Sequence, residues 1–443
     1  MSHIVFATFG SLGDLHPMIA LGLELRGRGH HVTLAAMKYY RQKVESLGLA
    51  FRPMAPHLEP DEDLARELMD AHTGTERILR DLIMPNLRPM YEDLVEAIEG
   101  ADLLVTGEVV YAAKSAVEKT GVRWVSTTLA PISLFSTFDP PVPPQAPWFE
   151  NLRFLGSTFH DAVFRFMRWT VSGWFDPYKE FRRELGLDDD HDPIFAGKYS
   201  GLLHLVLFSR VLGSRQPDWP QDAVQAGFCF YDGHAGTNEI PDEVQEFLDA
   251  GEPPLVFTLG SAAVMDARDF FEQSAAAARN LNRRALLIYG TEKALPKIDT
   301  EWQEPKIMSS AEKSSAQNTA HISSDGSILA IPYAPYSQVF PHAACVVHQG
   351  GAGTTGQVLR AGVPHLIMPY GHDQPDNAAR CRRIGVAKII ARDDYNSENA
   401  SIMLRRIVSD AKYKLNAERA AEVVRSEHGT QTACDAIESV LRD

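Results

Sequence analysis

Basic residues are in short supply in this chain. Lys and Arg number 43 against 58 Asp and Glu, a formal net charge of −15. No basic stripe is left to track a phosphodiester backbone, which argues against a nucleic-acid partner. Cysteine is sparse too. Cys229, Cys345, Cys381 and Cys434 stand far apart with no C-x-x-C pair, so neither a disulfide scaffold nor a structural zinc is expected. Long apolar runs are also missing. The most apolar segment, 202–212, is interrupted by His204, Ser209 and Arg210 and is too short to span a bilayer. No charged leader with an apolar run precedes the first strand. These absences predict a soluble, cytoplasmic protein with no transmembrane segment. The first glycine loop lacks G-x-G-x-x-G spacing, which disfavours a nicotinamide cofactor.

At 443 residues, two domains are the natural expectation. Residues 3–7 read as an apolar strand, followed by Thr8-Phe9-Gly10-Ser11-Leu12-Gly13-Asp14-Leu15-His16-Pro17 and a helix running to about Arg28. Pro17 fits the first turn of that helix, where a missing N–H costs nothing. A second strand at 31–36 completes a β-loop-α-β unit, so the sheet is parallel and its ligand site lies beyond the strand C-termini. Further strands fall at 103–105, 124–126 and 203–208. Residues 233–254 are polar and rich in Gly, Pro and acids, and read as a linker between a first domain, 1–232, and a second, 255–425. In the second half a strand at 255–259 meets Gly260-Ser261-Ala262 and repeats the strand-loop-helix logic. The polar tract 292–324 reads as a flexible excursion.

Most of the chemistry is concentrated between Ile331 and Asn377. The apolar run 344–347 reads as a buried strand ending at His348. The chain then turns through Gly350, Gly351 and Gly353 into Thr354, Thr355 and a helix. Such a turn is either a tight connection without a ligand or an anion site, since its free N–H groups and helix dipole act together on a diphosphate. Upstream, Tyr333-Ala334-Pro335-Tyr336 sets aromatic rings on a proline-fixed backbone, suited to a nucleobase. Downstream, a second apolar strand ends in Gly371-His372-Asp373-Gln374, polar groups suited to hydroxyls. Aromatic ring, phosphate cradle and hydroxyl-binding pair together describe a nucleotide-sugar.

This stretch resembles the nucleotide-sugar signature of the family-one, GT-B-fold glycosyltransferases in its bacterial HxGGAGTT…DQ form, and the resemblance extends over nearly the whole chain. It implies an α/β architecture of two Rossmann-like domains facing across a cleft, with a C-terminal helix, 426–443, crossing back to the first. It implies an inverting, metal-independent transferase with no cofactor beyond its co-substrate. A hexose would pass from UDP-glucose or dTDP-rhamnose to a hydroxyl of a small apolar or aromatic acceptor. Donor contacts would come from Gly13, Ser261, Tyr333, Pro335, Tyr336, His348, Gly350, Gly351, Ala352, Gly353, Thr354, Asp373 and Gln374. An epimerase or phosphorylase of the same fold, or a non-catalytic nucleotide-sugar-binding module, are the alternatives.

Three readings of the first loop stay open. Counted from Gly13 and Pro17, Asp14 occupies the family's general-base position. His16 is the second choice, because an ordinary imidazole pKa of ~6.5 lies nearer neutrality than ~3.9 for Asp. The third is that Asp14 is only a helix cap. Glu108, after the 103–105 strand, is a minor catalytic candidate and more readily a rim residue. The aromatic-rich stretch after Ala130 is either core or acceptor pocket. Phe135, Phe154 and Phe159 are the acceptor candidates that the resemblance implies. Asp188-Asp189-Asp190 follows a helix rather than a strand and reads as a solvated turn.

Overall fold

A computed structural model describes the chain except for residues 60, 190, 191, 232, 234–238, 291–293, 299, 300, 304–318 and 443. Asp190, part of the linker and most of the 292–324 tract therefore lie outside the described residues. The chain divides into two compact units. One comprises Met1–Pro60, Asp70–Tyr231 and Ser426–Asp443, the other Asp61–Met69 and Asp232–Arg425.

The first unit is built on seven strands: β1 (His3–Ala7), β2 (His31–Ala36), β3 (Ala50–Pro53), β4 (Leu103–Thr106), β5 (Arg123–Thr128), β6 (Leu203–Val206) and β7 (Ala223–Gln225). They pair in the order β3-β2-β1-β4-β5-β6-β7, parallel throughout. Helices cover both faces of such a sheet, which is why its strands read as nearly continuous apolar runs. Ile4, Val5, Phe6 and Leu103 to Val105 are fully buried. Strand order reverses beside β1, whose neighbours are β2 and β4. A ligand crevice in a doubly wound sheet opens at such a reversal, outside the strand C-termini. The connection after β1 leads into the first turn of the next helix, which carries Asp14, and the loop after β4 carries Glu108.

The second unit repeats the plan with β8 (Leu255–Thr258), β9 (Ala285–Ile288), β10 (Trp302–Gln303), β11 (His321–Ser323), β12 (Ile328–Ile331), β13 (Cys345–His348), β14 (His365–Ile367) and β15 (Ala387–Ile389). The order is β10-β11-β12-β9-β8-β13-β14-β15; among the described residues the pairs β10–β11 and β11–β12 are antiparallel and the others parallel. Its reversal lies between β8 and β13. The loops that follow these two strands hold Gly260-Ser261 and Gly350-Gly351. In both sheets the candidate loops follow strands at the point where the strand order reverses.

Five helices matter below: α1 (Leu12–Gly27), α2 (Gly156–Val171), α3 (Ala352–Ala361), α4 (Gln374–Arg383) and α5 (Gly429–Arg442). Helix α5 belongs to the first unit. Its Ala433, Cys434 and Ile437 are buried in that core, and Arg28 at the end of α1 meets Asp435 at 2.5 Å and Glu438 at 3.1 Å. No described helix is long and apolar enough to cross a membrane.

Candidate active site

Helix α1 starts abruptly because Ser11 caps it. The Ser11 hydroxyl accepts from Gly13 N at 3.1 Å, and the Asp14 carboxylate closes the reciprocal bond from Ser11 N at 2.8 Å. This is a capping box with Asp in the third helical position. The capping reading of Asp14 is thereby revised: the N-cap is Ser11, and Asp14 answers it from within the helix. Gly10 makes the geometry possible. Its φ is +132°, and a Cβ there would stand 2.3 Å from Asp14 Oδ2.

Burial pushes the Asp14 carboxyl up from its usual 3.8 to about 7. The Ser11 amide opposes this shift and the nearby Glu108 charge adds to it. Desolvation therefore outweighs the hydrogen bonds that favour the ionised form. Glu108 is not free to swing toward Asp14, because its Oε1 takes the Leu129 amide at 2.5 Å. His16 packs edge-on against Tyr231, ring centroids 5.2 Å apart.

The three expected acceptor rings are not brought together. Phe135 lies against Phe195 at 4.6 Å and Phe164 at 6.3 Å. Phe154 is exposed ahead of α2, and Phe159 faces outward on it. Five residues of helix separate Phe159 from Phe164, a rotation of about 140°, so one points out where the other points in. Lys198, which nothing in the sequence singled out, stands over the Phe135 and Tyr199 rings, 5.4 Å from each centroid, and donates to Ser133 O at 2.6 Å.

In the second unit the turn after β13 has the backbone of an anion cradle. Gly350 has φ +95°, Gly351 caps α3 without a side chain, and the first-turn amides of Gly353 and Thr354 have no helical acceptor ahead of them. Asp373 Oδ2 takes the Ala352 amide at 3.1 Å and the Asn377 side-chain amide at 2.7 Å. A carboxylate oxygen thus rests on the positive end of the helix. Gln374 is buried, and its Oε1 accepts from Tyr370 N at 2.8 Å. His372, in a left-handed conformation at φ +56°, bonds Leu68 O at 2.8 Å.

His348 corrects the expectation placed on it. The ring is fully buried, and desolvation pulls its pKa down to about 3, so it is neutral. Its Nδ1 accepts from Gly350 N at 3.1 Å, which puts the ring proton on Nε2, directed at His365 Nδ1 3.0 Å away. Both nitrogens are engaged, and neither is left for a phosphate oxygen in this conformation. His348 shapes the turn instead.

Tyr336 is revised in the same way. Its hydroxyl pairs with Thr258 Oγ1 at 2.7 Å and its ring stacks on Phe340 at 4.5 Å. Tyr333 is half-buried just before Pro335, which caps the short helix beginning at Tyr336. Ser261 is exposed one residue after Gly260. Gln349, also not foreseen, is buried with its side-chain amide between Gly260 and Gly351; a Cβ on these would stand 2.4 Å and 2.9 Å from its Nε2. No group of three metal-ligating side chains occurs among the described residues.

Comparison with known proteins bears on both units. Residues 301–438 match the family model for the erythromycin biosynthesis protein CIII-like C-terminal domain, and residues 4–120 that for the glycosyltransferase family 28 N-terminal domain. O-mycaminosyltylonolide 6-deoxyallosyltransferase of Streptomyces fradiae is 32% identical over 457 residues, covering 98% of this chain and 96% of that protein. The sterol 3-beta-glucosyltransferase of Candida albicans is 24% identical across 99% of this chain, which spans only 28% of that longer protein. Among solved structures, the glycotransferase of kitacinnamycin superposes with a TM-score of 0.70 at 20% identity over 99% of both chains. A spinosyn rhamnosyltransferase complexed with thymidine diphosphate superposes at 0.66 and 15%, over 99% of this chain and 100% of the other. These two likenesses are of fold.

Proposed function

Because this chain belongs to the bacterial family-one glycosyltransferases, we propose that it moves a 6-deoxyhexose from a thymidine-diphosphate sugar to a hydroxyl of a small apolar acceptor. The anomeric carbon is inverted, no metal takes part, and Asp14 is the general base. The choice of donor is supported by the 6-deoxyallosyl transfer named for the Streptomyces fradiae relative. The observation that carries the base assignment is the Asp14 carboxyl, lifted to about 7 by burial yet anchored by Ser11. A base poised near neutrality is both ionised and strong enough to take a proton from an attacking alcohol.

In this reading the acceptor oxygen attacks the anomeric carbon as its proton passes to Asp14, and the bond from that carbon to the diphosphate breaks. Negative charge then grows on the leaving phosphate, where the amides of Gly353 and Thr354 and the positive end of α3 stabilise it. The Asp373 carboxylate, which already neutralises that end, exchanges the Ala352 amide for a sugar hydroxyl when the donor binds. Gln374 offers its side-chain nitrogen to the sugar, since its oxygen holds Tyr370. Ser261 adds a hydroxyl from the β8 loop, and Tyr333 covers the base.

Incubation with a dTDP-6-deoxyhexose and an apolar alcohol in EDTA should give a glycoside whose anomeric configuration, read by proton NMR, is opposite to the donor's. Retained configuration, preference for UDP-glucose, or activity that returns only with added magnesium would each overturn the corresponding part.

The His348–His365 pair supplies a second expectation. His365 makes its contact with His348 inside the core, so replacing it by Phe removes a partner of the turn without touching a ligand. Nucleoside diphosphate affinity should fall roughly tenfold, as for loss of one buried hydrogen-bond partner. Calorimetric titration with thymidine diphosphate checks this. Unchanged affinity in folded His365→Phe, with a loss in His348→Ala, would return a direct contact to His348.

A further inference from the structure

The segment Asp61–Met69 comes from the first half of the chain yet belongs to the second unit. It forms a short helix, Glu62–Leu68, capped by Asp61, whose side chain accepts from Leu64 N at 2.8 Å. No residue of this helix is buried. A helix this short does not sustain itself in water, so its place is fixed by ties at its C-terminal end. Met69 enters the core that also holds Leu259, Val264 and Tyr370. Arg66 Nε lies 3.5 Å from Asp266 Oδ1. Asp266 is buried and takes Arg392 Nη2 at 2.6 Å on its other oxygen; a buried carboxylate is costly without such partners. The Leu68 carbonyl accepts from His372 Nε2 at 2.8 Å, across 304 residues of sequence.

That last bond reaches the donor loop. His372 has φ +56°, a left-handed conformation that a histidine keeps only where its surroundings hold it. The next two residues are Asp373 and Gln374. The same short helix lies against Gly260–Ala263, the turn that carries Ser261. We propose that Glu62–Leu68 is a positioning element for the donor's sugar. Arg66 pins the helix to Asp266, Leu68 O holds the His372 ring, and the ring fixes the direction in which Asp373 and Gln374 leave the turn. This role rests on the reading of those two side chains as the sugar's hydroxyl partners. The diphosphate cradle is anchored otherwise, Gly350 being held by His348 at its amide and by Asn377 at its carbonyl. Arg66 therefore acts on the sugar alone, through His372, and touches no substrate.

Affinities for dTDP-rhamnose and for thymidine diphosphate, titrated by calorimetry without acceptor, separate sugar from diphosphate. Arg66→Ala, at an exposed position, should weaken dTDP-rhamnose roughly three- to thirtyfold, the range for residues that act on a site through others, and leave thymidine diphosphate unchanged. His372→Gly keeps the left-handed backbone at no steric cost but offers no ring to hold, and should show the same selective loss. Combined, the two should cost no more than His372→Gly alone, since both cut one path. Asp373→Asn, which keeps an oxygen for the Ala352 amide, should also weaken dTDP-rhamnose selectively and checks the hydroxyl reading by itself. Three results would overturn the positioning role: equal losses for both ligands in Arg66→Ala, additive losses in the double variant, or wild-type binding of dTDP-rhamnose by Arg66→Ala where Asp373→Asn has lost it. An Asp373→Asn that binds both ligands as the wild type does would overturn the hydroxyl reading, and the positioning role with it.

Discussion

Asp14→Asn should lower turnover by about 10²–10⁴-fold on an aliphatic alcohol, the range for loss of a general base. The substitution keeps the side chain's shape, and its carbonyl oxygen still accepts from the Ser11 amide that now bonds Asp14 at 2.8 Å. What disappears is the capacity to take a proton. A phenolic acceptor, with an ordinary pKa near ~10, is partly activated already and should lose less. His16→Gln should leave turnover largely intact, because that ring is packed on Tyr231.

Stability gives an independent readout of opposite sign. Folding lifts the Asp14 carboxyl from 3.8 to about 7, so the folded state disfavours its ionised form. That penalty is absent below the unfolded pKa and complete above about pH 7. Asn carries no such penalty. The variant should therefore melt above the wild type at pH 8, and the gap should close as pH falls toward 4. A variant that is inactive and melts below the wild type at pH 8 would point to a broken cap rather than a missing base.

Gly350→Ala should weaken nucleoside diphosphate binding by about 30- to 1,000-fold, from strain at a left-handed position together with the turn contacts it disrupts. At φ +95°, a Cβ would stand 2.9 Å from Ile367 Cγ2 and 3.1 Å from the Gln374 carbonyl oxygen. Ile367 is fully buried in β14 and the other obstacle is backbone, so neither can yield cheaply. The turn must move, and with it go the His348 bond to Gly350 N and the 2.9 Å bond from Asn377 to Gly350 O. Gly353→Ala is the control, since a Cβ there meets nothing within 4 Å. It should leave the free turn unchanged. Calorimetric titration with thymidine diphosphate measures both, and wild-type affinity in Gly350→Ala would contradict the account of the cradle.

The two loops were legible in the sequence because they are local. A strand that stops at glycines and restarts as a helix announces itself within a dozen residues, as at Val347 to Thr355 and at Phe6 to Leu15. What gives those loops their properties is not local. Glu108 comes within electrostatic range of Asp14 because β1 pairs with β4, Ala7 opposite Thr106, a register that spacing does not reveal. His348 lost its expected role to His365, which meets it through the pairing of β13 with β14. Tyr336 is turned onto the core, partly buried, because its hydroxyl pairs with Thr258 at the end of β8. The acceptor candidates stand apart for a geometric reason: Phe154 is exposed ahead of α2, and helix phase turns Phe159 away from the side on which Phe164 meets Phe135. Ser11 as the cap was within reach, since Ser-x-x-Asp differs from the common capping box only in the shorter acid.

The central claim is that Asp14 takes the acceptor's proton, and the most direct test is the pH dependence of kcat/KM, which reports ionisations of the free enzyme. For the wild type it should rise through a single ionisation near pH 7 and level off above it. In Asp14→Asn the residual rate should lack that limb, while His16→Gln should keep it. A limb that survives in Asp14→Asn, or one that disappears in His16→Gln instead, would contradict the account and make the histidine the base.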